Sequence, residues 1–293
     1  SGPTASGKSG FAVELAKKIN GEIINADSMQ VYKELKILTA RPSKSSQKKI
    51  NHHLYGFQSV TKKFSTGDWL KLTTKKIYEI RKRNKVPIIV GGTGLYFKSL
   101  IEGLVKIPNI PTKFRNKIRM MQKKIGQKLF YQKLLKLDPL AAKKINSNDS
   151  QRSIRAFEIK KYTKRSIIEW FKKTKILFEP KDFIKLYIDF PREELIVKIE
   201  KRVNQMLVSG GINEVKKFNK LKVKKEYSSK KVIGIQEISN FLKGEISLNQ
   251  AKERIFIKTR QYAKRQTTWA RGQMISWQKI NPKNLSLTLK KLK

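Results

Sequence analysis

The 293-residue chain has no cysteine. That excludes disulfides, thiolate zinc sites and a cysteine nucleophile together, and it suits a reducing compartment. Histidine is nearly absent too: His52 and His53 adjoin, and no other histidine exists to complete a zinc site with them, so the pair reads as structural. No run approaches 18 apolar residues and no signal peptide stands at the start. A membrane-spanning helix is therefore not expected; a soluble, cytoplasmic monomer is. Acidic side chains are scarce, 22 against 67 Lys and Arg, for a net charge of +45. Such a surplus predicts attraction to a polyanion and steep salt dependence. The competing explanation is a lysine-rich composition with no partner behind it. The distribution favours a partner: residues 112–180 hold 20 basic and 5 acidic side chains, the densest stretch of the chain.

What is present begins at residue 2. Gly2-Pro3-Thr4-Ala5-Ser6-Gly7-Lys8-Ser9 is a full G-x-x-x-x-G-K-[ST] phosphate loop. Its glycines let the backbone aim successive N–H groups at an anion, Lys8 adds a compact charge, and the Ser9 hydroxyl suits an accompanying Mg²⁺. The run 10–19 is helix-compatible, which would add a helix N-terminus to the site. The motif indicates a di- or triphosphate without saying which. A phosphate loop ordinarily follows a buried strand, yet only Ser1 precedes Gly2 and there is no initiator Met; the expectation is that this strand lies outside the sequence.

The first third alternates in an α/β manner. Residues 21–28 and 86–90 read as buried parallel strands whose C-terminal ends open into loops, and 66–80 as a capped helix between them. Ligands of open α/β sheets sit at those strand ends, so Asp27 and Thr93 should face the same side as the phosphate loop. From Pro108 the pattern turns helical and lysine-rich. Helices are expected over 114–137, 139–145 and 150–162, the last capped by Asn148-Asp149. A strand follows at 186–190. A helix comes after Pro191, with Leu195, Ile199, Val203 and Leu207 on one face and Gly210-Gly211 ending it. A long helix follows to about Arg271, opened by a Ser247/Gln250 capping box and with Phe256, Tyr262 and Trp269 read as core. The expected architecture is a P-loop NTPase-like parallel sheet (1–108 and 185–293, the second part mostly helical) interrupted by an α-helical insertion at 109–184.

Three further groups carry chemistry. Asp27, in Asp27-Ser28-Met29-Gln30-Val31-Tyr32, stands at a strand end, where a carboxylate can be a general base, can hold Mg²⁺ through water, or can simply cap the next helix. Thr93, in Gly91-Gly92-Thr93-Gly94-Leu95-Tyr96, offers a hydroxyl among glycines that permit close approach, although the pattern is also a common turn. Arg152 and Arg155, in Gln151-Arg152-Ser153-Ile154-Arg155, share a helix face suited to phosphates or to plain solvation.

In this order, joined by Asn148-Asp149-Ser150-Gln151-Arg152, Ile233-Gly234-Ile235-Gln236-Glu237 and Thr259-Arg260-Gln261-Tyr262-Ala263-Lys264-Arg265-Gln266, the segments resemble the tRNA dimethylallyltransferases (tRNA isopentenyltransferases) over essentially the whole chain. The resemblance implies transfer of a dimethylallyl group from its diphosphate to the exocyclic amine of the adenine just 3′ of the anticodon. The phosphate loop would then hold a leaving group. The resemblance also implies Asp27 as the base, and Thr93 and Arg202 steadying the diphosphate with Lys8, Ser9 and Mg²⁺. Ser28, Met29 and Gln30 would help read a flipped adenine, and Arg115, Gln151, Arg152, Ser153, Ile154 and Arg155 would grip the anticodon arm. The family often has Tyr where Ile235 stands, and the absence of cysteine excludes the zinc finger of eukaryotic relatives, so the chain looks bacterial in type. The rival readings are an adenylate isopentenyltransferase acting on free AMP, ADP or ATP, a P-loop small-molecule kinase, and a nucleic-acid-binding ATPase. The charge-dense insertion speaks against the first.

Overall fold

The structure is a computed structural model and describes residues 1–43 and 50–291. The phosphate loop runs into α1 (Lys8–Lys18), which returns into β1 (Gly21–Asn25). Every residue of β1 is buried, as a central parallel strand covered on both faces requires. β2 (His52–His53) and β3 (Val86–Val90) flank it in the order β2-β1-β3, all parallel, with Ile23 opposite both His52 and Ile88. Between them lies α2 (Thr66–Lys82). Its N-cap is Ser65, one residue before the expected start, with a reciprocal Asp68 box. The buried face of α2 carries Trp69, whose ring stacks on Tyr96 at 4.3 Å and whose Nε1–H donates to Asn25 O. Truncating so buried an indole costs about 3–5 kcal/mol. After β3 the chain turns through 91–93 into α3 (Gly94–Ile101).

A separate compact unit spans Leu100–Glu179, so it begins before Pro108. It holds α4 (Thr112–Leu137), α5 (Pro139–Ala142), α6 (Ser150–Thr163) and α7 (Ile167–Phe171) around Phe130, Leu134, Ala156 and Phe157. The reading of 114–137 as one helix is corrected: Gly126, at φ 78 and ψ 167, breaks it into two, a conformation open to glycine and strained for other residues. Asp149 caps α6 by accepting from Arg152 N–H.

The first unit resumes at Pro180. β4 (Leu186–Ile188) pairs in parallel with the late strand β5 (Gln278–Ile280). Ser1 lies beside β4, donating to Leu186 O and accepting from Ile188 N–H, while its hydroxyl donates to Gly91 O. α8 (Arg192–Met206), α9 (Ile212–Lys220), α10 (Ile235–Leu242) and α11 (Leu248–Gln273) enclose the main core of Leu195, Ile199, Val203, Phe218, Ile238 and Ile255; α12 (Leu285–Lys291) follows β5. Gly210, at φ 98 and ψ 21, interrupts the helical run where its sequence suggests. The backbone widens over Leu207–Gly211, and a second helix, α9, begins beyond the kink. The Ser247/Gln250 box forms as expected.

Candidate active site

The phosphate loop wraps a left-handed turn: Gly7 has φ 81, with open space where a side chain would stand. Lys8, the first residue of α1, does not reach into solvent. Its Nζ donates to Pro3 O at 3.1 Å, and burial pushes its pKa down to about 8, a fall limited by Asp27 and deepened by Arg202. Pro3, Thr4 and Ser6 are buried beneath the loop, and Ser6 Oγ has no hydrogen-bond partner among the described residues. Gly2 is buried, Ala5 is half-buried, and Ser9 is exposed in the first helical turn.

Two strand ends meet this loop. After β1, Asp27 does not cap a helix, because the residues directly after it form turns; its Oδ1 accepts from Met29 N–H at 2.9 Å. Asn25, fully buried, braces the turn by accepting from Asp27 N–H and donating to Asp27 O and Leu54 O. After β3, Thr93 Oγ1 accepts from Ser28 N–H at 2.9 Å and donates to Ser28 Oγ. The two loops are thus stitched side by side. Gln30 donates to Thr39 O and Ala40 O, so its amide is engaged in holding the next loop.

Arg202, ten residues into α8, reaches across to donate to Thr4 Oγ1 at 2.9 Å and to Thr39 O at 3.3 Å. Burial lowers its pKa, while Asp27 and Tyr262 act to raise it. A second bridge comes from α11: Gln266 accepts from Thr4 N–H and donates to Gly92 O, tying the phosphate loop to loop 91–94. Glu214, from α9, supports the far wall; its carboxylate accepts from the N–H groups of Lys36, Ile37 and Leu38.

Thr4, Asp27 and Arg202 face a cavity of about 240 Å³. Thr4, Asp27, Thr39, Arg202, Lys231, Thr259, Tyr262 and Arg265 supply its polar lining, and Met29, Leu38, Val203, Met206, Val232, Ile233 and Ile255 an apolar one. Tyr262 was read as core from the sequence. It lies instead on this wall, in hydrogen-bond contact with Thr93, its pKa raised by burial and by Asp27. Tyr262, Arg265 and Gln266 carried no assigned role. The signal was the spacing of Thr259, Tyr262, Ala263 and Gln266, a polar-tinged stripe on one face of α11. His53, by contrast, is engaged where a structural residue would be, on the buried carboxylate of Glu22 at 2.6 Å.

The expected RNA contacts fall in the helical unit and differ in exposure. Gln151 and Arg152 are exposed, and Arg152 pairs with Asp149. Arg115 and Arg155 are half-exposed and both engage Glu158. Ser153 is fully buried, its hydroxyl accepting from Gln127, and Ile154 packs on the apolar cluster. Neither offers its side chain to solvent as Gln151 and Arg152 do.

Comparison with known proteins agrees with this geometry. Residues 30–273 match the family model described as IPP transferase. A tRNA dimethylallyltransferase of Pelagibacter ubique (strain HTCC1062) is 64% identical over 293 residues, covering 100% of this chain and 94% of the relative. Among solved structures, the tRNA delta(2)-isopentenylpyrophosphate transferase of Staphylococcus epidermidis is 34% identical with a TM-score of 0.69, over 99% of this chain and 95% of that one. A eukaryotic dimethylallyltransferase described as acting on tRNA is 30% identical with a TM-score of 0.81, over 97% and 73%. A match that takes in both the elements forming the cavity and the whole helical unit decides the kinship, and the chain belongs to the IPP transferase family.

Proposed function

We propose that the protein transfers a dimethylallyl group from dimethylallyl diphosphate to the exocyclic N6 amine of the adenine just 3′ of the anticodon in tRNA, releasing diphosphate. The observation that carries this reading is the makeup of the cavity: an anion grip (Thr4, Arg202) and a carboxylate (Asp27) share one small chamber with a set of apolar side chains, Leu38, Val203, Met206, Val232, Ile233 and Ile255. A five-carbon apolar tail with a charged diphosphate at one end and a nucleophile at the other matches that polarity.

In the proposed reaction the allylic C–O bond breaks as the N6–C bond forms. The electron pair of the broken bond leaves with the diphosphate, and the amine proton passes to Asp27. Negative charge grows on the departing oxygens, which Arg202 on the cavity wall and Lys8 at the start of α1 would offset. Charge-assisted hydrogen bonds of this kind contribute about 1.5–3 kcal/mol each. Thr93 would steady the same group while its bond to Ser28 holds the Asp27 turn in register. Mg²⁺ fits here through the exposed Ser9 hydroxyl beside Lys8 together with substrate phosphates. Such a site needs no carboxylate cage, and no His/Asp/Glu cage exists among the described residues. Bound there, the ion would neutralise diphosphate charge. The adenine must leave its stack to enter so small a chamber, with Met29 on the wall and Gln30 bracing the adjoining loop. Gln151, Arg152 and Arg155 with Arg115 would hold the anticodon arm, and the enzyme would act as a monomer in the cytoplasm. No helix among the described residues is long and apolar enough to cross a membrane.

The test is label transfer from radiolabelled dimethylallyl diphosphate to unmodified tRNA or to AMP. Label in tRNA alone is expected; label in AMP alone, or ATP turnover without prenyl transfer, refutes the reading. Asp27→Ala should abolish transfer and leave tRNA affinity within about threefold, while affinity itself should fall by orders of magnitude between ~50 and ~200 mM salt.

A further inference from the structure

Glu158 is 1% exposed in the most basic segment of the chain, and three guanidiniums converge on it. Arg115 Nε and Arg155 Nη1 stand 3.2 and 3.4 Å from Oε2, and Arg119 Nε stands 3.6 Å from Oε1. Oε1 makes no hydrogen bond among the described residues. The arginines themselves are 37%, 39% and 46% exposed for positions 115, 155 and 119. Each guanidinium has five N–H donors in a planar fork, so meeting one carboxylate leaves most of them outward.

Arg115 and Arg119 are one turn apart on α4, a like-charge spacing that is unfavourable by itself, and Arg155 comes in from α6. One buried negative charge answers three positive ones, leaving a surplus of two on a fixed surface. Burial lowers the pKa of Arg155, Glu158 acts to raise it, and Arg115 and Arg119 act to lower it further, so the cluster has unspent capacity for negative charge. A buried carboxylate that only neutralised its neighbours would not leave that surplus.

We propose that Glu158 is a positioning residue that locks Arg115, Arg119 and Arg155 into one preformed clamp for consecutive phosphates of an RNA backbone, with Arg119 as a further phosphate contact. The inference rests on the tRNA reading above. Phosphodiester oxygens suit the clamp because a planar fork meets them two at a time, and a surplus of two charges matches two phosphates.

The experiment compares wild type, Glu158→Gln, Glu158→Asp and Arg119→Ala for tRNA affinity across salt, for steady-state kinetics and for thermal melting. Glu158→Gln should raise the KM for tRNA about tenfold and flatten the log–log salt slope by about 2, because phosphate contacts set that slope. The kcat and the KM for the diphosphate should stay within about twofold. Glu158→Asp, which keeps the charge, should recover part of the affinity, and Arg119→Ala should lose about three- to tenfold with a slope change near 1. A Glu158→Gln variant that melts earlier yet binds tRNA normally makes the residue structural and overturns the proposal, as does Glu158→Asp behaving no better than Glu158→Gln. If Glu158→Gln does not fold, unchanged tRNA affinity in the half-exposed Arg119→Ala variant overturns it. Weakened binding in Arg115→Ala and Arg155→Ala with none in the other variants leaves the tRNA reading standing and removes this one. A wild-type protein without salt-dependent tRNA binding removes both.

Discussion

Lys8 carries its charge into a place where burial opposes it, so the empty anion site should weaken the fold. Its pKa falls from 10.5 to about 8, which corresponds to about 3 kcal/mol against the ammonium form. Above pH 10.5 neither folded nor unfolded protein carries this charge and the site is neutral for stability. As the pH drops from 10.5 to 8 the unfolded chain takes up the proton first, and below 8 the full destabilisation is present. A bound diphosphate reverses the sign by giving the ammonium its counter-charge. Lys8→Met, which fills the same space without charge, should therefore be more stable than wild type at pH 7 by about 1–3 kcal/mol. It should also lose dimethylallyl diphosphate affinity by about 100-fold, with charge-assisted bonds removed. In wild type the affinity should hold up to pH 8 and fall about 30-fold by pH 9.5, the protonated fraction there being about one in thirty. The ester's own phosphate is already ionised above about pH 6, so it adds little to this change. Chemical denaturation with and without ligand, and calorimetric titration at pH 7 and 9.5, measure these quantities. A Met variant less stable than wild type at pH 7, or a wild-type affinity flat across that range, refutes the reasoning.

Other outcomes follow from single contacts. A Cβ at Gly92 would stand 2.1 Å from Gln266 Nε2 and 3.2 Å from Gly2 O. Gly92→Ala should therefore break the amide bridge and cut kcat/KM for the diphosphate about 10- to 100-fold, through displacement of positioning groups, while circular dichroism is retained. Tyr262→Phe removes the hydroxyl facing Thr93 and should lower kcat about five- to tenfold, the worth of about one hydrogen bond, without moving the melting temperature by more than a degree or two. Glu22 is buried, which alone would raise its pKa, but His53, Arg83, Asn51 and Lys85 outweigh that and bring it down to about 2. Its contribution is present above the ordinary carboxylate pKa of 4.5 and is lost as the pH falls toward 2. Glu22→Gln should cost about 3–5 kcal/mol at pH 7 in urea unfolding and show a shallower acid limb.

The strands and the phosphate loop were legible because their signals are local. The run at 21–25 is short, centred on Ile23-Ile24 and closed by a polar turn, and the loop motif specifies its own backbone. One helix boundary was not, because a single glycine can either stop a helix or be accommodated, and tertiary packing decides which. Gly126 breaks α4 as a lone glycine in a lysine-rich run, whereas the break at Gly210 was marked by a glycine pair. In the candidate site, Asp27, Thr93 and Arg202 stood out through strand-end position or family resemblance. Tyr262 and Gln266 did not, since an aromatic and an amide on an amphipathic helix are commonly core and surface; only the packing of α11 against the phosphate loop brings them inside. Glu158 was hidden for a related reason: a lone acid among many lysines and arginines looks like a solvated charge until its burial is known.

The turn at residues 36–38 points three successive N–H groups at one carboxylate, that of Glu214. Chemically this is a receptor for an anion, of the same general kind as the phosphate loop, and it borders the same cavity through Leu38. The protein has filled it from within. On the proposed reading, a diphosphate entering the chamber would find this second nest already taken by Glu214. Glu214 would thereby act as a resident decoy, keeping the substrate anion away from the Leu38 side of the chamber.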